Sequence, residues 1–154
     1  DESESRGLGD VYKRQELYRI KIMFSHVMLG ANDIEESKAF YDKTMIVLGT
    51  KPGKLSMNHD GITRYVYYVN NQNSFMISEP INGEPVIASN GSTIGFKAST
   101  IEMIDQWHAA GIEFGMVTPE LCNPPGIREG GGVQLYLAYL NDPSGNKLCT
   151  MLRL

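Results

Sequence analysis

Several features that would narrow the role of this chain at once are scarce or missing. There are only two cysteines, Cys122 and Cys149, too few for a disulfide framework, so two free thiols in a reducing, cytoplasmic setting are expected. No apolar run approaches the roughly 20 residues that a membrane span requires. Lys and Arg do not gather into a stripe along the chain, and the net charge is −4 with a pI near 5.4. Nucleic acid or an anionic membrane surface is therefore not expected as the main partner. The first residues lack apolar content too: Asp1 to Gly9 is polar and Gly/Ser-rich, without the apolar centre of a signal peptide. The stretch Gly9-Asp-Val-Tyr-Lys-Arg-Gln15 resembles translated sequencing-adapter read-through at the ends of metagenome-derived reading frames. We therefore expect a non-native or disordered leader over 1–21 and a native start at Met23.

What is present is an internal repeat. Residues 26–40 are an apolar strand that breaks at Asn32-Asp33 and becomes a helix, and residues 93–107 lay down the same strand, cap and helix. Placing His26 on Thr93 sets Ile34 on Ile101, Glu35 on Glu102 and Phe40 on Trp107. A chain of 154 residues, 42% apolar and 21% charged, suits one domain built from two small modules that share a core. Any site is then expected where the copies meet.

The periodicities predict a module one over 22–79, a linker over 80–91 and a module two over 92–154. Strand one, about 22–29, alternates Phe24, His26 and Met28 with Met23, Val27 and Leu29. Asn32 and Asp33 are N-caps with Glu35 and Glu36 in capping-box position, and Ile34, Tyr41, Met45 and Leu48 form the buried stripe of a helix that stops at Gly49. A short strand near 55–57 precedes a hairpin of 64–69 with 74–78, turned at Asn70–Asn73. In the second copy, a strand over 92–98 leads to a capping box of Ser99 with Glu102. The helix that follows carries Ile101, Ile104 and Trp107 or His108 and ends at Gly111. A further strand in 112–118 and a long Pro/Gly-rich loop over 118–132 follow. A loop of that length suits a lid or binding loop. Strands 133–140 and 147–152 flank the turn Asn141-Asp-Pro-Ser-Gly-Asn146. The expected fold class is α+β, two βαβββ modules.

Three stretches carry a family resemblance: Phe24-Ser-His-Val-Met-Leu-Gly30, Asp33-Ile-Glu-Glu-Ser-Lys-Ala-Phe-Tyr41 and Asn141-Asp-Pro-Ser-Gly-Asn-Lys-Leu148. In this order and spacing, across 22–153, the chain resembles the vicinal oxygen chelate superfamily of glyoxalases, bleomycin-resistance proteins and extradiol dioxygenases. The resemblance implies mixed sheets curled around a cup with helices outside, and metal ligands on the first and last strand of each module, facing the cup. The corresponding positions here are His26 and Thr93 on the first strands and, with Asn73 aligned on Asn146, Met76 and Cys149 on the last.

That set offers one imidazole, a thioether, a hydroxyl and a thiol, where a catalytic divalent metal wants imidazoles and carboxylates around an open position. Glu79 would face the other way by strand alternation. The expectation is no metal. The alternative is a divalent ion (Zn, Ni, Mn or Fe) with His26 as one ligand. His26 is a pocket-wall residue and the one candidate for acid–base catalysis, with Cys149 either a small buried hydrophobe or a nucleophile served by His26. Arg128, on the candidate lid, and less so Arg64, suit a carboxylate or phosphate. Met28, Tyr67, Met76, Thr93, Tyr136 and Cys149 complete the expected ligand-binding set, while Cys122, His59 and His108 are expected as loop, turn and helix-surface residues. Three functions follow: a metal-free protein binding a small organic molecule in its cup, a metal-dependent glyoxalase-like lyase/isomerase or dioxygenase, or a non-catalytic self-associating protein with a filled cup. A homodimer is expected for each.

Overall fold

A computed structural model of the chain describes residues 24–56, 61–69, 73–114 and 124–154. Two copies of one order appear in it. The first is β1 (His26–Gly30), α1 (Ile34–Val47), β2 (Lys54–Leu55), β3 (Arg64–Tyr68) and β4 (Ser74–Ser78). The second is β5 (Ile94–Lys97), α2 (Ile101–Ile112), β6 (Gly126–Gly130), β7 (Val133–Asn141) and β8 (Lys147–Arg153). Each copy makes one mixed, unclosed four-stranded sheet, ordered β1-β4-β3-β2 and β5-β8-β7-β6, with the first strand parallel to the last. The α+β class and the repeat are as expected. No described helix is long and apolar enough to cross a membrane.

Local chemistry explains the helix starts. The Asp33 carboxylate accepts the N–H groups of Glu35 and Glu36 at 3.1 and 2.9 Å. Asn32 does a different job: its side-chain oxygen accepts the Val86 N–H at 2.7 Å. In α2 the cap is Thr100, whose hydroxyl accepts the Met103 N–H at 3.1 Å, and not Ser99. Gly111 lies inside α2, one residue before its end at Ile112, and its missing side chain makes room for Leu140, whose Cδ1 a Cβ there would meet at 2.1 Å. His108, expected on the helix surface, is 8% exposed, and burial pushes its pKa down against the pull of Asp105.

The expected loop over 118–132 ends in a strand. β6 pairs antiparallel with β7, joined by Gly131 and Gly132, both at positive φ (60° and 76°). Two left-handed residues make the primed two-residue turn that matches strand twist, so these glycines build a hairpin where their abundance had suggested a lid. Arg128 accordingly sits on a strand. The strand expected in 112–118 does not begin there: Ile112 closes α2 and 113–114 form a turn. Its residues 115–118 lie outside the described residues, as do the expectations for 1–23, Met57, His59, residues 70–72 of the Asn70–Asn73 turn and Cys122.

One core serves both copies. α1 and α2 pack together, each against one face of its own sheet. Tyr41 and Tyr67 ring Phe75 at 4.9 and 5.9 Å, and Phe75 meets Phe96 of the second copy at 5.4 Å. The turn before β8 clasps the first copy. Asp142, 1% exposed, accepts the Tyr41 hydroxyl at 2.7 Å, the N–H groups of Ser144 and Asn146, and the Asn146 side-chain amide. Asn146 also donates to the Gly30 carbonyl at 3.0 Å, and Ser144 Oγ accepts the Asn32 N–H at 2.9 Å.

Two outcomes are expected. Gly111→Ala should cost about 1–3 kcal/mol by overpacking against Leu140, read as a lower urea midpoint; an unchanged midpoint would show that Leu140 yields freely. Burial raises the Asp142 pKa above its ordinary 3.8 more than its hydrogen bonds lower it. The folded state thus holds that proton more tightly than the unfolded chain, so this group adds stability as pH falls through its raised value and loses it as pH rises. The melting-temperature difference between wild type and Asp142→Asn should move in favour of wild type on acidification. A difference independent of pH would refute this.

Candidate functional site

Strand pairing sorts every side chain to one of two faces, because partners across a ladder share a face and neighbours along a strand do not. In the first sheet, Val27, Leu29, Tyr65, Tyr67, Phe75 and Ile77 turn towards the helices. The opposite, open face carries His26, Met28, Arg64, Val66, Tyr68 and Met76. In the second sheet, Phe96, Tyr136, Leu140 and Leu148 face the helices, whereas Arg128, Leu137, Tyr139, Cys149 and Met151 lie on the open face. Open-face side chains remain uncovered in several places: Met28 is 48% exposed, Tyr68 62% and Met151 42%.

The expected site residues divide accordingly. His26, Met28 and Met76 share one open face, with Met28 directly opposite Met76 in the parallel ladder. Cys149 and Arg128 share the other, and Thr93, exposed just before β5, continues the alternation of Gly95 opposite Cys149. Aligning Asn73 on Asn146 therefore matches the actual register of both sheets, because each residue directly precedes its last strand. Tyr67 and Tyr136 belong elsewhere. Tyr67 is fully buried and donates its hydroxyl to Asp42 of α1 at 3.0 Å, and Tyr136 donates to Asp105 of α2 at 2.8 Å. Both phenols are pushed to higher pKa, Tyr67 by burial first and Tyr136 by its bond to Asp105 first. The run Tyr-Val-Tyr-Tyr-Val has no polar member to mark which parity faces inward. Tyr68 and Tyr139 are the tyrosines on the open faces, and the Asn141–Asn146 turn, which pairs Asn141 with Lys147, is the signal that locates Tyr139 opposite Cys149.

His26 stands at the wall of a cleft of about 150 Å³ between the edges of β1 and β5, with Phe24, Asn73, Ile94 and Phe96 around it. Its Nδ1 lies 2.9 Å from Ser25 Oγ. Cys149 is 5% exposed; burial pushes its thiol up, and the phenol of Tyr139 and the ammonium of Lys147 only partly offset this. The Glu79 carboxylate accepts the Thr63 N–H at 2.7 Å and joins a separate cleft under the 80–85 loop. Among the described residues no three His, Cys, Asp or Glu side chains converge as a metal site would require. The donors at the family positions, one imidazole with a thioether, a hydroxyl and a thiol held protonated by burial, do not fit a catalytic divalent metal.

Comparison with known proteins places this geometry. The family model described as glyoxalase/bleomycin resistance protein/dioxygenase superfamily matches residues 23–150. A glyoxalase/bleomycin resistance protein from Albidiferax ferrireducens T118 is 47% identical, with 84% of this chain and 98% of that one covered and a TM-score of 0.72. A glyoxylase/bleomycin resistance protein/dioxygenase domain from Frankia sp. EAN1pec (16% identity, 85% and 97% covered, TM-score 0.62) is similar in fold. So is a lactoylglutathione lyase from Agrobacterium tumefaciens (16% identity, 84% and 92% covered, TM-score 0.52). No curated protein matches the chain. With two βαβββ modules in the right order and a family match over nearly all the described residues, this chain belongs to the glyoxalase/bleomycin resistance protein/dioxygenase superfamily.

Proposed function

We propose that this chain binds a small organic molecule on the open faces of its sheets, without the metal that many relatives use. The observation that carries this reading is the donor set: His26, Met76, Thr93 and Cys149 occupy the family's ligand positions, and only one of them is a strong metal ligand at neutral pH. What surrounds them is apolar and aromatic, Met28, Val66 and Tyr68 on one face and Leu137, Tyr139 and Met151 on the other, the composition of a ligand wall.

A homodimer belongs to this reading. The cleft beside His26 has about 150 Å³, half or less of the roughly 300–1,000 Å³ of ordinary small-molecule sites. The exposure of Met28, Tyr68 and Met151 leaves surface for a second copy to cover. The same exposure speaks against a cup packed shut for self-association alone. A cytoplasmic setting is part of the proposal, in keeping with the free, buried Cys149. The second reading, a glyoxalase-type lyase/isomerase or dioxygenase, is favoured by the position of His26 in that cleft, where it would serve as ligand or base.

Elemental analysis of protein purified without a metal-affinity step, beside His26→Ala, separates the two. Metal far below one per chain in both proteins is expected; near-stoichiometric metal that disappears in His26→Ala would establish the enzyme reading instead. Cys149 supplies an independent check. Its raised pKa predicts slow alkylation by iodoacetamide at neutral pH, with the rate climbing only as pH passes above the ordinary thiol value of 9.0. Rapid modification at neutral pH would revive Cys149 as a nucleophile.

A further inference from the structure

The sequence has no cationic run, yet strand pairing sorts the strand cations to one side of each sheet. The strands contain six cations: Lys54, Arg64, Lys97, Arg128, Lys147 and Arg153. Their ladder partners put all six on the open faces: Lys54 opposite Val66, Arg64 opposite Ser78, Lys97 opposite Met151, Arg128 and Arg153 both opposite Leu135, and Lys147 opposite Asn141. The strands contain a single carboxylate, Glu129, and it has the other parity. The remaining described carboxylates lie on the helices, their caps and the loops.

Burial explains why charge avoids the helix-facing side, but burial does not select its sign. Edge protection, the usual role of strand lysines, applies to Lys54, Lys97 and Arg128 on edge strands. It gives no account of Arg64, Lys147 and Arg153, which sit on the interior strands β3 and β8. None of the six pairs with a carboxylate among the described residues. In a chain of net charge −4, two open faces whose described strand positions carry cations and no carboxylate are a field suited to an anion.

The field has a centre. The Lys147 ammonium lies 4.7 Å from the centroid of the Tyr139 ring. Arg128 folds back along β6, donating to the Ile127 and Pro124 carbonyls at 3.1 and 3.3 Å, and acts electrostatically on the Tyr139 phenol. Gly126 makes room for it: a Cβ there would lie 2.8 Å from Arg128 Nη1. We infer that the ligand is an organic anion, its carboxylate, phosphate or sulfonate group held by Arg128 and Lys147 beside the Tyr139 hydroxyl, its apolar body against the exposed Met151. This rests on the small-molecule reading above and specifies its chemical class. Closing a second copy over a face of unpaired cations costs repulsion, and an anion between the copies relieves it.

The test uses two fluorescent probes of one ring system, 1-anilinonaphthalene-8-sulfonate and the uncharged N-phenyl-1-naphthylamine, titrated into the full chain. The sulfonate should bind saturably and lose affinity as sodium chloride rises. Its affinity should fall at least about fivefold in Arg128→Gln/Lys147→Gln, with the circular dichroism of that variant unchanged. Lys43→Gln, on the exposed side of α1, should leave it as in wild type. Equal, salt-independent binding of both probes would overturn the anion assignment and leave the small-molecule reading standing. Binding of neither probe would remove both. Tighter, salt-sensitive binding of a single-stranded oligonucleotide would reassign the face to a polyanion and overturn the small-ligand class.

Discussion

The buried Asp142 carboxylate is the interaction on which the rest of the structure depends. Each βαβββ copy alone presents one sheet and one helix, too small to enclose the aromatic side chains it carries. Asp142 and its turn hold the copies together by polar contacts across more than a hundred residues of sequence: the Tyr41 hydroxyl to Asp142, the Asn146 amide to the Gly30 carbonyl, the Asn32 N–H to Ser144. The carboxylate carries a desolvation cost, seen in its raised pKa, and receives enough donors to remain a specific hub. With the copies clasped, α1 and α2 share one core and Phe75 reaches Phe96. The helix-facing sides of both sheets are then used up.

That use leaves the open faces as the sides of the sheets that the helices do not cover. The open faces carry an imidazole, sulfur-bearing and aromatic side chains and six cations, with no carboxylate at their strand positions; Val66, Leu137 and Cys149 are buried there, while Met28, Tyr68 and Met151 are exposed. Family membership alone leaves activity undecided, because one fold hosts many functions. The donor set and the charge sign are the features of this chain that bear on its activity. His26 remains at the family's first-strand position, but its neighbours there are Met76, Thr93 and Cys149, and Cys149 is kept protonated by burial.

Much of this was legible from local chemistry. The repeat, the Asp33 cap, the stop at Gly49 and the Asp142–Asn146 turn each follow from short-range rules, and Met76 and Cys149 stand at equivalent places on the last strands, two residues into β4 and β8. The misreadings share one cause. Ser99 in place of Thr100 is a one-residue choice between equal cap formers. Gly111 reads as a stop because its real role, room for Leu140, involves a residue on another element. Gly131-Gly132 reads as loop because only pairing with β7 shows a hairpin. Tyr67 and Tyr136 read as site residues because the parity of an aromatic, largely apolar run is silent until a partner strand sets it.

By itself, then, the sequence determined the twofold repeat, the order of elements in the first copy, the family and the identities at the expected ligand positions, all of which are carried by neighbouring residues and spacing, but not the place of β6. The tertiary structure alone decided which face each strand residue takes, that His108 is buried, that Arg128 rides on a strand, and that cations scattered from Lys54 to Arg153 share the open faces. The physical reason is pairing register: a shift of one residue sends a whole strand to the opposite face, and that register is set by turns and partner strands far away in the chain.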